Sequence, residues 1–161
     1  MEPGEPAPEF SLKGVDGKTY SLSDLLLKGP VVAAFFKVCC PVCQFTFPFL
    51  ERMFEMSAGG KATFVAISQD DFEDTRQFCS EFGVKFPAVV DPKPYSVSSQ
   101  YRLTNVPSIF LVAPDRTVQA VSIGFSREEI EKIASAVASP NGAASTGLFR
   151  PGEVVPAYRP G

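Results

Sequence analysis

Pro30-Val31-Val32-Ala33-Ala34-Phe35-Phe36-Lys37-Val38-Cys39-Cys40-Pro41-Val42-Cys43-Gln44-Phe45-Thr46-Phe47 is the stretch that decides the fold. Its first seven residues form an unbroken apolar run, which reads as a strand buried on both faces. A helix is expected from about residue 41. Its apolar positions Phe45, Phe49, Leu50, Met53 and Phe54 keep helical spacing. Cys40 and Cys43 therefore stand at a strand-to-helix junction, on the helix N-terminus. Unpaired N–H groups and a partial positive charge gather there. Both favour a thiolate on the first cysteine, and the thiolate is the nucleophile of thiol–disulfide exchange. A C-x-x-C pair in a βαβ pattern reads as a redox motif.

Other uses of the cysteines fit less well. Zinc normally takes four ligands. The chain has no histidine and only Cys39 and Cys79 besides the pair, and Cys39 and Cys40 point apart if locally extended. No metal and no organic cofactor are expected. Cys79 shares a helical face with Phe72, Thr75 and Phe82, so core packing is its expected role. Cys39 fits either packing or a third reactive thiol.

Outward from the junction, the pattern gives one α/β domain. Asp16-Gly17 marks a hairpin between Phe10–Leu12 and Lys18–Tyr20, after an extended lead-in over residues 1–9. Ser21 caps a short helical turn through Leu27. Pro48 should kink the cysteine-bearing helix. Strand 62–67 follows, parallel to 31–36, then a helix opened by Asp70 or Asp71 and closed by Gly83. A short strand over 87–90, a short helix over 95–101 and the strand pair 108–112 and 118–123 come next. Ser126-Arg127-Glu128-Glu129 reads as a capping box for the last helix. The expected architecture is a central mixed sheet with helices on both faces and an N-terminal β-hairpin extension.

The domain should span residues 1–139. Residues 140–161 form a Pro/Gly-rich tail, with eight Gly or Pro among twenty-two positions. Composition argues against a packed element there. Yet Leu148, Phe149, Val154, Val155 and Tyr158 could dock on the domain or on a second subunit.

A net charge of −3 gives no basic footprint for nucleic acid. No apolar stretch reaches the length of a membrane span. The first residues lack the basic and apolar regions of a secretory signal. The expected location is cytoplasmic, or outside the cytoplasm if a longer parent is exported. In a reducing cytosol such a pair is catalytic more often than structural. Asn105-Val106-Pro107 precedes strand 108–112. A cis bond at Pro107 would bring Val106 backbone groups beside the sulfurs, where an extended substrate chain could pair with them.

These residues resemble the thioredoxin superfamily. The likeness is to the redoxin branch that holds the TlpA/ResA-like thiol–disulfide oxidoreductases and the alkyl hydroperoxide reductase/thiol-specific antioxidant proteins. It covers roughly residues 6–138. Ala7-Pro8-Glu9-Phe10-Ser11-Leu12 looks like the branch's opening strand. Asp16-Gly17-Lys18 and Ser21-Leu22-Ser23-Asp24-Leu25 look like its turn and short helix. Cys40-Pro41-Val42-Cys43 matches the active-site pair, Pro48 the helix kink and Val106-Pro107 the cis-proline facing the disulfide.

The resemblance implies a thioredoxin-like fold and disulfide exchange. Cys40 would attack, Cys43 would resolve, and Val106, Pro107, Pro41 and Val42 would meet the substrate. Partners would be protein disulfides or dithiols and an upstream reductant, with the chain a monomer or a weak homodimer. Three departures stand out: Cys39 replaces a frequent tryptophan, Ala34 a buried acid, and Thr46 a glutamate. Lys37 and Asp70 are the charged residues able to replace the lost proton acceptors, at the carboxyl edge of adjacent strands. The alternative is a peroxiredoxin-like peroxidase with antioxidant activity, using Cys43. On that alignment Cys40 stands at the hydroxyl position and Phe36 at the proline position. A non-enzymatic redox sensor is the third class.

Overall fold

Val31–Phe36 is the middle strand, β3, of a five-stranded sheet in the computed structural model, which describes residues 1–138 and 147–161. All six of its residues are buried, which explains the unbroken apolar run. Alternate side chains serve opposite faces. Val32, Ala34 and Phe36 enter one apolar cluster, and Val31, Ala33 and Phe35 the other.

The elements before β3 are β1 (Ser11–Lys13), β2 (Thr19–Ser21) and α1 (Leu22–Leu26). After it come α2 (Pro41–Met56), β4 (Thr63–Ser68), α3 (Phe72–Phe82), β5 (Ala88–Val90) and α4 (Ser96–Gln100). The remainder is β6 (Ser108–Val112), β7 (Val118–Ile123), β8 (Phe125–Ser126), α5 (Arg127–Val137) and β9 (Tyr158–Arg159). The sheet order is β5-β4-β3-β6-β7. Strands β3, β4 and β5 are parallel, while β6 pairs antiparallel with β3 on one side and β7 on the other. This is the expected mixed sheet. One face carries α2 and α5 through Phe47, Leu50, Met53, Ile130 and Ile133, joined by Phe78 of α3. The other carries α1 and α4 through Leu22, Leu25, Val97 and Tyr101. Phenylalanine rings fill the first face: Phe36 lies 4.6 Å from both Phe47 and Phe78.

Four local details add to the sequence pattern. The β1–β2 hairpin turns through Asp16-Gly17, with the Gly14 N–H donating to the Lys18 carbonyl at 2.7 Å, while the Val15 N–H donates to the Ala88 carbonyl of β5 at 2.9 Å. The lead-in follows β7, with Gly4 and Ala7 donating to Val118 and Arg116, and so covers a sheet edge. Helix α2 runs unbroken through Pro48, whose ring faces solvent. The Ser126 hydroxyl accepts the Glu129 N–H at 3.4 Å, but the capping box is only half formed. The Ser126 N–H goes to Ser122 Oγ, and Lys132 takes the Glu129 carboxylate.

Residues 147–161 lie against the domain. Leu148 is buried, Phe149 meets Phe49 at 5.1 Å, and Arg52 binds Glu153 through two 2.7 Å contacts. Strand β9 pairs antiparallel with β8. The side chains of Val154 and Tyr158 are exposed, although Tyr158 pairs through its backbone with Ser126.

Glu51 is an unexpected guest in this interior. It is 7% exposed, and one carboxylate oxygen accepts the Lys85 N–H at 2.8 Å while the other has no partner. Burial raises its pKa, with the Glu55 carboxylate adding to the effect. A carboxyl raised on folding costs stability above its folded pKa, and the cost disappears as pH falls through it. Glu51→Gln keeps the acceptor and supplies a donor. It should raise the melting temperature at pH 7 by about 2–4 °C, equivalent to about 1 kcal/mol. Melting curves across pH should show that gain shrinking toward acid.

Candidate active site

Cys40 caps α2. Its backbone is extended (φ −81°, ψ 115°), and its sulfur accepts the Cys43 N–H at 3.2 Å. Ser, Thr or Asp oxygens usually take that place. Pro41 follows at the first helical position, where a missing N–H removes nothing. The geometry that starts the helix thus puts a sulfur at its positive end. There an N–H and the helix dipole support negative charge as it develops on the atom.

The second contact of this sulfur comes from across the sheet. The Cys40 thiol donates to the Val106 carbonyl oxygen at 3.5 Å. The Val106–Pro107 peptide bond is cis. Pro107 is buried, and its carbonyl accepts the Gly124 N–H at 2.8 Å. Val106 is half-buried and leaves one face toward the sulfur. Pro41 and Val42 form the rim of the same helix turn, exposed and half-buried respectively.

Cys43 is different. It sits one turn into α2 with no exposed surface, in the cluster that holds Phe36 and Phe47. Burial, and next the contact with the Cys40 sulfur, push its thiol far above the ordinary cysteine range. One thiol is therefore half-open and the other shut. None of the four cysteines is joined in a disulfide.

The loop between β3 and α2 is pinned from two sides. The Val38 N–H donates to Asp70 Oδ2 at 2.8 Å, and Gln44 Nε2 donates to the Val38 carbonyl at 2.9 Å. The Cys40 N–H closes a turn onto the Lys37 carbonyl at 3.3 Å. Asp70 thus reaches the backbone two residues before Cys40 and fixes that loop. Lys37 contributes its carbonyl, while its side chain is exposed. Both follow the carboxyl ends of parallel strands. Gln44 carried no signal in the sequence except its place one residue after the pair. The Thr46 hydroxyl, at the position of the missing acid, donates to the Val42 carbonyl at 2.6 Å within the helix.

The remaining two cysteines separate as their surroundings dictate. Cys39 is exposed. Cys79 is half-buried against the phenylalanine cluster, and burial raises its thiol to about 11. A thiol so placed packs and reacts poorly.

Known proteins resemble this chain in sequence and in fold. Thiol-disulfide oxidoreductase ResA of Bacillus subtilis (strain 168) is 30% identical over 128 residues, covering 79% of this chain and 70% of that protein. The thioredoxin domain of a thiol-disulfide oxidoreductase from Bacteroides vulgatus superposes with a TM-score of 0.77 at 20% identity, over 86% of this chain and 99% of that one. Peroxidoxin BcpB from Mycobacterium tuberculosis superposes with a TM-score of 0.72 at 24% identity, over 85% and 96%. At such identities the two structures speak for the fold alone. The sequence pattern of the AhpC/TSA family matches residues 3–121, which include both cysteines and Pro107. The chain belongs to the AhpC/TSA family of the thioredoxin superfamily, on its ResA/TlpA-like side.

Proposed function

We propose that Cys40 and Cys43 exchange disulfides with protein substrates, Cys40 as the attacking thiol and Cys43 as the resolving one. The protein is a thiol–disulfide oxidoreductase, the activity that its ResA relatives carry in their names. The asymmetry of the pair carries the assignment of roles. The half-open Cys40 sulfur stands at the helix N-terminus against Val106, and Cys43 lies wholly buried behind it.

The chemistry follows from that placement. Cys40 releases its proton to solvent, and its thiolate attacks one sulfur of the substrate disulfide, whose S–S bond breaks and releases the other sulfur as a thiolate that takes up a proton from solvent. Cys43 then attacks Cys40 Sγ, the bond between Cys40 and the sulfur it had attacked breaks, and that sulfur leaves with the Cys43 proton. The substrate has gained two electrons and two protons, and the enzyme holds a Cys40–Cys43 disulfide. A dithiol reductant returns it to the starting state.

Val106, with Pro107 behind it, offers backbone groups to an extended substrate chain. Pro41 and Val42 form the rim beside the attacking sulfur. A peroxidase reading would need Cys43 to meet peroxide as a thiolate. Burial and a raised pKa oppose both requirements.

Two experiments test the roles. Cys43→Ser should trap a mixed disulfide on Cys40 when offered a disulfide-linked peptide, while Cys40→Ser should trap little. Non-reducing gels and mass mapping read the adduct. Fast peroxide consumption that survives Cys40→Ser and vanishes in Cys43→Ser would install the peroxidase instead. Asp70→Ala should slow exchange about tenfold by freeing the Val38 loop, a loss of about 1.4 kcal/mol in the transition state. Asp70→Asn keeps an acceptor oxygen and should recover most of the rate in the same assay.

A further inference from the structure

A segment of the chain itself lies at the subsite where a substrate peptide would pair. Successive contacts bring it there. The Arg127 N–H donates to the Ala157 carbonyl at 2.9 Å, and Tyr158 and Arg159 then pair with Ser126 and Phe125. The Arg159 guanidinium sits 4.4 Å above the Phe45 ring, two residues beyond Cys43 on α2. Gly161 finally meets the Val106 carbonyl, and its own carbonyl accepts from Asn105 Nδ2 at 3.2 Å. That Val106 oxygen is the one that receives the Cys40 thiol.

Two glycines make the passage possible. A methyl group at Gly124, whose φ is +70°, would stand 2.5 Å from the Arg159 carbonyl oxygen and 2.9 Å from the Gly161 nitrogen. A methyl group at Gly161 would overlap the Val106 carbonyl oxygen and approach its carbon to 2.9 Å. The segment is threaded between the turn after β7 and the loop before Pro107 with no room for a side chain at either place. Its upstream anchor is firm. Arg52 grips Glu153 through two contacts and holds that carboxyl down at about 2, so the grip stands at neutral pH. Downstream of Glu153, Val154 and Tyr158 are exposed. The part over the site is therefore held by backbone pairing, one cation–π contact and glycine clearance, which are weak enough to exchange.

We propose that residues 158–161 are an intramolecular strap over the Val106 subsite, an occupant in extended form that a protein substrate must displace and a small disulfide need not. The inference rests on the reading of Val106 as the peptide-pairing position. It makes the strap a selectivity device: bulky chains reach Cys40 only from the strap-open state, and small thiol reagents reach it from both. The entering chain needs what the strap shows, an extended backbone with a small residue beside Val106.

Two variants loosen the strap at different points. Gly161→Val introduces the clash with Val106, and Arg159→Ala removes the contact with Phe45. Neither residue takes part in exchange. The full chain and each variant are alkylated with iodoacetamide and, separately, with a short extended peptide carrying a maleimide. Rates at Cys40 are read by fragment mass spectrometry, which distinguishes it from Cys39. Melting curves confirm that each variant is folded. The ratio of peptide rate to iodoacetamide rate should rise about fivefold in both variants, as expected if the strap is closed most of the time. An unchanged or lower ratio in both folded variants would overturn the strap. Alkylation needs no turnover, so the ratio judges the strap even if exchange with disulfide-linked peptides fails in the unaltered protein. That separate failure would count against the proposed function.

Discussion

One sulfur at one helix end organises this molecule. The first turn of α2 has N–H groups with no partners in the helix, and the chain meets that need with Cys40 Sγ rather than with an oxygen. The same sulfur reaches the Val106 carbonyl across the sheet. Everything nearby serves to keep the atom between those two groups. Strand β3 delivers the chain to the junction, Asp70 and Gln44 fix Val38, and β6 carries Val106 and Pro107 up from the antiparallel side.

The burial of the core makes the pair directional. Cys43 shares its environment with Phe36 and Phe47, rings that close the space below the helix turn. A thiol there gains dispersion contacts and loses water, which raises its pKa above the ordinary cysteine range. Cys40 lies at the boundary of the same layer. The proposed roles, attack from outside by Cys40 and resolution from inside by Cys43, rest on which side of the phenylalanine layer each sulfur occupies. The layer is costly to disturb: truncating a buried phenylalanine typically removes about 3–5 kcal/mol.

What the sequence displayed was local. The apolar run 30–36, the C-x-x-C pair, the helical spacing after it and Pro107 are each contained in a short window, and each has one dominant physical reading. The mixed sheet followed from their order. Contacts between distant residues were not legible. Nothing near Asp70 shows that its carboxylate reaches the Val38 backbone, 32 positions earlier. Glu51 stands one helical turn beyond the buried Phe47, but a charged residue gives no sign by itself that it will be buried there with its carboxylate on the Lys85 N–H. The composition of residues 140–161 spoke against packing, yet the part over 147–161 is held by Arg52, Phe49 and Phe125. Glycines that look like flexibility in the sequence, Gly124 and Gly161, are clearance for a close approach of backbone. Residues 140–146 of that tail, and Ser139 at the end of the expected domain, lie outside the described residues.

The central claim is that Cys40 and Cys43, and no other pair, form a reversible disulfide. Its most direct test is a redox titration of the full chain in mixtures of reduced and oxidised dithiothreitol, quenched with acid and read by intact mass and linkage mapping. The account predicts a single two-electron transition that removes two hydrogens, joins Cys40 to Cys43, and leaves Cys39 and Cys79 as thiols. A transition that links Cys39 or Cys79, or the absence of any reversible disulfide across the range, would contradict it.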